Sequence, residues 1–406
     1  MKIVKKLADY PSDMEFPVPP EFGPAIAARA NREFPQGAAT RRRWLLEALG
    51  ASGAAAAASF LTSPAAHAAN LSKVPSQKEI FIDPATEYQV TRWTEDAAES
   101  HLPTDPNRAL SDGDSTLLYA SNRGGTWQPY VLNLKRGESV QTGVATELQP
   151  RSLALLRDGK DVIFLDGDSL VRNEIRRGRT REIYRSADGW RATGNLILAH
   201  DDRSAAVVER KDSTTRIVFV DPGSGRAKPV LQADGGELLP LGFHQRYGLL
   251  LLDSRQKPSL VGASGAPPLP RFPEGEVLKA RWDSTGRILM YLIHTKGERE
   301  HYQLMEYDLD AGEHRLIANT SKFATFSANS DASVFVGASS SIAQPLLLLL
   351  LRVTRREFSL MEHHSSIPAA VNPFFSHDSQ TLFFESDRLG KSCVFSVNIK
   401  GLVEKT

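Results

Sequence analysis

After Leu110 the chain repeats one short pattern seven times: an apolar residue, a tight polar turn and a second apolar run. The copies read LSDGDSTLLYAS at Leu110, LRDGKDVIFLD at Leu156, AHDDRSAAVVE at Ala199, FHQRYGLLLLD at Phe243, WDSTGRILMYL at Trp282, SANSDASVFVG at Ser327 and SHDSQTLFFES at Ser376. Roughly 39 to 48 residues separate successive turns, which is the length of a four-stranded propeller blade and too long for a solenoid coil. Each copy supplies a further run ending in a polar hairpin, as in YVLNLKRGESVQTG and LMEYDLDAGEHRLIA. The expected fold is therefore all-β, a seven-bladed β-propeller spanning 76–406.

The two ends of the repeat do not balance. The last blade has three good runs, ending in CVFSVNIK, and only a meagre fourth strand in 401–406, whereas EIFIDPATEYQVTRW near the start is a strand-turn-strand with no partner. Pairing the two would remove both open edges, so the ring is expected to be closed by the N-terminal strands. The run Leu346 to Leu351 is far shorter than the roughly 20 apolar residues of a membrane span and reads as a buried strand. The Gly- and Pro-rich stretch 262–275 reads as a loop between blades four and five.

Upstream, TRRRWLL at Thr40 to Leu46, an alanine-rich stretch through Leu61 and the small-residue site Ala66-His67-Ala68 have the parts of a twin-arginine export signal in the right order. This divides the chain into an N-terminal extension (1–39, which a mis-called start would explain), a signal peptide (40–68) and the propeller. The mature protein is then periplasmic or secreted, with no membrane span.

Charge is balanced, 49 basic residues against 48 acidic, so no global field would draw in nucleic acid. The lone cysteine, Cys393, excludes an intrachain disulfide framework and reads as a buried thiol. No Walker loop, GxSxG elbow or HExxH helix occurs. Among the ten histidines, His200, His244 and His377 share one repeat position before the first turn of their blades. That register puts them on the face away from where propellers usually bind ligands. His363 and His364 are adjacent on a strand and would point to opposite faces. His101, His294 and His301 remain as candidates for base or binding chemistry. Arg123, Arg210, Lys211, Arg255, Lys296 and Arg388 fall in loops between second and third strands and would form a basic collar suited to a polyanionic sugar, since guanidinium groups match carboxylates in bidentate fashion.

The segments FIDPATEYQVTRWT, DGDSTLLYASNRGGTWQPYVLNLKRGESVQTG, LVRNEIRRGRTREIYRSADGW and EHHSSIPAAVNPFFSHDSQTLFFESDRLGKSCVFSVNI resemble, in order and spacing, the opening and closing blades of oligogalacturonate lyases. The likeness runs from Glu79 to Ile399, and TolB-type propellers share its blade features. It implies a seven-bladed propeller and β-elimination of oligogalacturonides, with a manganese-type cation held mainly by histidines and a histidine base. Such an elimination needs the carboxylate neutralised and a base for the C5 proton. The family's terminal HPHPxF motif corresponds to Ala370-Val371-Asn372-Pro373-Phe374-Phe375, which keeps the proline and phenylalanine and lacks both histidines. Other family histidines correspond to Lys279, to Leu239 ahead of Pro240, and to Ser100 beside His101. The implied ligands are not retained, so no metal cofactor is expected.

Three readings remain open from the sequence. The first is an exported propeller that binds an acidic oligosaccharide or a protein partner, with Arg123, Arg210, Arg255, His294 and Arg388 as binding residues. The second is a divergent lyase that uses Lys279 with His101 or His294 in place of metal and base. The third is a TolB-like scaffold docking envelope proteins, which needs no pocket chemistry.

Overall fold

The computed structural model describes residues 71–403, apart from 107 (side chain only), 188, 245, 254–257, 263–271, 284, 298–299 and 342. The expected export signal and N-terminal extension lie outside the described residues. Seven antiparallel sheets follow one another along the chain, each a blade whose first strand lies at its inner edge. Blade one has Ser100–His101, Thr116–Ser121, Gln128–Asn133 and Ser139–Gln141; blade two begins at Ala154–Leu155, blade three at Arg191–Leu198 and blade four at Leu239–His244. The inner strands of blades five, six and seven are Glu276–Trp282, Phe323–Ala328 and Phe374–Phe375. No helix among the described residues is long and apolar enough to cross a membrane.

The core is divided into seven apolar clusters, and each joins two neighbouring blades. Because side chains alternate across a strand, one strand feeds two clusters. In blade one, Leu117 and Tyr119 pack with Phe374 and Phe383 of blade seven, while Leu118 and Ala120 pack with Val162 and Phe164 of blade two. This is why the middle strands read as continuous apolar runs rather than as alternating ones. The leucine run Leu346–Leu351 is a third strand of blade six, as expected: Leu347 and Leu349 face blade seven, Leu348 and Leu350 face blade five.

The ring closes through the N-terminus. Gln89–Arg92 pairs with Cys393–Asn398, bringing Val90 opposite Val397, and Glu79–Ile82 adds outside it. Trp93 Nε1 donates to Ser396 Oγ across the same seam at 2.9 Å. The fourth strand expected in 401–406 does not form in 401–403, which turn instead; the position beside Cys393–Asn398 is already taken by Gln89–Arg92. Lys73–Val74 adds a fifth strand to the outer edge of blade one, a pairing the repeat pattern does not reveal. Cys393 is buried in the blade six–seven cluster.

One glycine is required by packing. A Cβ on Gly337, in the second strand of blade six, would lie 2.2 Å from the ring of Phe323 on the inner strand beside it. Only a hydrogen there lets that ring lie flat against the sheet.

Candidate functional site

The inner strand of blade five carries a bulge between Val277 and Lys279. Its effect is visible in the packing: Val277, Ala280 and Trp282 all belong to the cluster with blade four, although strict alternation would separate Val277 from the other two. The shifted register turns Lys279 and Arg281, two residues apart, to the opposite face. There Arg281 Nη1 donates to Ser327 Oγ of blade six at 2.8 Å. Both cations line a cavity of about 340 Å³.

Arg281 is buried, only 8% exposed, and its Nε has no hydrogen-bond partner among the described residues. Lys279 is half-buried, and no hydrogen bond or ion pair to it exists among the described residues. Burial, reinforced by the Arg281 charge and to a lesser degree by Arg151, pulls the Lys279 ammonium down to about 8, with Asp105 acting in the other direction. Burial likewise lowers Arg281 to about 10 against the pull of Asp105. Asp105 comes from the segment 104–108, which blade one inserts between its inner strand and the bridge Leu110–Leu117. That segment is pinned on three sides. Thr104 N–H donates to Arg151 O at 3.0 Å, Asn372 Nδ2 donates to Pro103 O at 3.1 Å, and Arg108 pairs with Asp202 at 2.9 Å while donating to Ala199 O.

The cavity follows the inner strand of blade four from Leu239 to Phe243 and reaches the first turns of the other six blades. His200 and His377 are among the residues lining it, so two of the three histidines assigned to a remote face do border a cavity; the register was read correctly, and the cavity lies on that side. His377 is held by Asp114, 2.7 Å from its Nδ1, a bond that raises the imidazole pKa. His244 does not line the cavity. Its Nδ1 accepts the Arg246 and Tyr247 N–H groups, and burial lowers its pKa.

A second cluster sits where blades seven, one and two meet. Glu385, 2% exposed, receives both Nη groups of Arg151 at 2.8 Å and the Leu102 N–H at 2.8 Å. His101 Nδ1 lies 3.0 Å from Glu385 Oε2, and its ring stacks on Trp127 at 5.0 Å. The same Nδ1 lies 3.2 Å from Arg151 Nη2, and Nε2 lies 3.5 Å from Glu99 Oε2, so both ring nitrogens face charged neighbours. Burial opposes ionisation of Glu385, but the His101 hydrogen bond and the Arg151 charge outweigh it and hold the carboxyl below its usual range. His101 is therefore positioned like a carboxylate-oriented imidazole, though it does not line the cavity with Lys279.

None of the collar residues Arg123, Arg210, Lys211, Lys296 and Arg388 lines this cavity, and Arg255 lies outside the described residues. Arg123 donates to Gln77 at 3.0 Å and Tyr119 at 3.2 Å and lies over the Tyr130 ring; Arg388 lies over Phe81 of the outermost strand of blade seven. Arg210 reaches Glu237 at 3.4 Å, and Lys211 and Lys296 are exposed. His294 is buried under Tyr302, with ring centroids 4.3 Å apart. His363 donates to Ser339 O at 3.2 Å and burial lowers it to about 4, while His364 turns to Glu362 at 2.8 Å. His301 is exposed at the start of its strand.

At the positions the sequence comparison sets against the family's histidines, Leu239 offers an alkyl chain, Lys279 an ammonium, Ser100 a buried hydroxyl and Asn372 an amide whose Nδ2 goes to Pro103 O. Only Ser100 Oγ and Asn372 Oδ1 could give a lone pair, neither of them a charged or imidazole donor, so this set does not suit a divalent cation, which needs several such donors around it. Among the described residues, no group of three or more His, Cys, Asp or Glu side chains is placed to hold a metal ion.

No protein-family model matches the chain, and no curated protein matches it in sequence. Solved structures do. An oligogalacturonate lyase in complex with manganese superimposes with a TM-score of 0.70 and 18% identity, covering 81% of this chain and 98% of that one. An oligogalacturonate lyase from Vibrio parahaemolyticus gives 0.70 and 17% over the same shares. TolB from Acinetobacter baumannii reaches only 0.36 at 11% identity, covering 70% of this chain and 77% of that one. The chain thus shares the seven-bladed fold of oligogalacturonate lyases.

Proposed function

We propose that this chain binds an acidic saccharide in its central cavity through Lys279 and Arg281, without turnover by the metal-and-histidine route of its structural neighbours. One observation carries the reading: two cations on one wall, neither fully paired. Burying charge without a partner is costly, and such sites are kept where a ligand supplies the counter-charge. A uronate carboxylate would accept two parallel bonds from Arg281 and lie beside the Lys279 ammonium. On this reading the twin-arginine leader carries the chain to the periplasm or beyond, where such sugars would meet it.

A second reading is favoured by the Lys279 pKa. An amine lowered to about 8 could remove a C5 proton as its neutral form while Arg281 neutralises the carboxylate, with no metal step. Incubation with oligogalacturonides, with and without manganese, separates the two. The binding reading expects saturable binding and no absorbance from an unsaturated product. Product formation that Lys279→Ala abolishes would establish the lyase reading instead. A scaffold docking envelope proteins would give neither signal, and pulldown from periplasmic extract is its test.

A further inference from the structure

We propose, building on the acidic-saccharide reading, that the ligand enters the ring from the side of the first turns and is held as one terminal sugar-acid unit rather than as a threaded chain. The lining residues locate the mouth: Asp112, Arg157, His200, Asp283, Ser330 and His377 come from the first turns of six blades. Among the described residues, no position in a loop joining a second to a third strand lines the cavity, so the mouth lies at the end of the strands away from those loops.

Size sets the number of units. At about 340 Å³ the cavity lies near the bottom of the roughly 300–1,000 Å³ that small-molecule sites span. The segment 104–108, which Arg108, Asn372 and the Thr104 N–H fix in place, forms part of the cavity wall and narrows the space a ligand can occupy. The walls are amphipathic in the manner a sugar acid requires. Lys279 and Arg281 supply positive charge on blade five, and Leu239, Pro240 and Leu241 supply an apolar surface on blade four for the ring's C–H face. Arg281 is more than nine-tenths buried and lines the cavity, with Nη1 on Ser327 Oγ and an Nε that has no hydrogen-bond partner among the described residues.

Calorimetric titration of the full chain with galacturonate monomer, dimer and trimer, and with galactose, tests this. The monomer should bind, galactose should not, and affinity should vary by less than about threefold from monomer to trimer. Ser330→Trp and Asp112→Trp, each at an exposed first-turn position, should each weaken the monomer by about tenfold or more at an unchanged melting temperature. If both mouth variants fold and bind like the parent, or if each added unit raises affinity about tenfold, the single-unit mode is overturned and the acidic-saccharide reading stands. If none of the three uronates binds, both fall.

Discussion

Arg281 Nη1 donates to Ser327 Oγ across the gap between blades five and six at 2.8 Å, yet among the described residues the Nε of the same guanidinium has no partner. A charge buried and only partly satisfied costs stability, and replacing it by an apolar side chain of similar volume is commonly neutral or stabilising. Arg281→Met should therefore keep or raise the melting temperature while removing uronate binding. Thermal unfolding and calorimetry on the same preparation check both halves, and a variant that melts much earlier would show that Arg281 serves the fold.

Binding should depend on pH through Lys279. Its ammonium, lowered from 10.5 to about 8, is charged below that value and neutral above it, so affinity for a carboxylate should hold up to about pH 8 and decline beyond. Arg281, at about 10, stays charged through this window. For stability the sign is the reverse: the folded state disfavours the proton, so the Lys279 penalty is fully present below pH 8 and is relieved between 8 and 10.5. Lys279→Gln should remove the affinity step, which titrations from about pH 6 to 9, below the Arg281 value, would reveal.

Glu385 ties three blades together, and its loss should be felt by the whole ring. Glu385→Gln leaves Arg151 without its bidentate partner, and about 2–4 kcal/mol of destabilisation is expected, toward the low end for a buried pair because Arg151 is a third exposed. Its carboxyl is held below 4.5, so its contribution is present above that pH and is lost as pH falls through the lowered folded value. Denaturant unfolding at pH 7 and at pH 3.5 should find parent and variant far apart at the first and closer at the second.

Gly337→Ala should cost on the order of 1–3 kcal/mol, since a methyl group 2.2 Å from the Phe323 ring forces the inner strand of blade six to shift. The double variant with Phe323→Leu should recover part of that loss in the same unfolding assay.

The fold was legible because a propeller repeats its instructions. The turn-and-run pattern recurs in every blade, and the unpaired EIFIDPATEYQVTRW announces ring closure without any knowledge of Val90 facing Val397. The candidate site was legible only in part. Lys279 emerges from the family likeness, but Arg281 reads as an ordinary strand residue, because the bulge ahead of both, which decides that their shared face is the one away from blade four, has no mark in the sequence. Glu385 was invisible for a different reason: Arg151 and His101 lie 234 and 284 residues away along the chain, and only ring closure brings them together. Charge counting also cannot foresee that loop arginines such as Arg123 and Arg388 lie over aromatic rings, Tyr130 and Phe81, and do not line the cavity.

The account stands most directly on one comparison, trigalacturonate titrated at pH 7 into the parent chain and into Arg281→Met. Saturable heat with the parent and none with the folded variant is the predicted result; equal binding by both would contradict it.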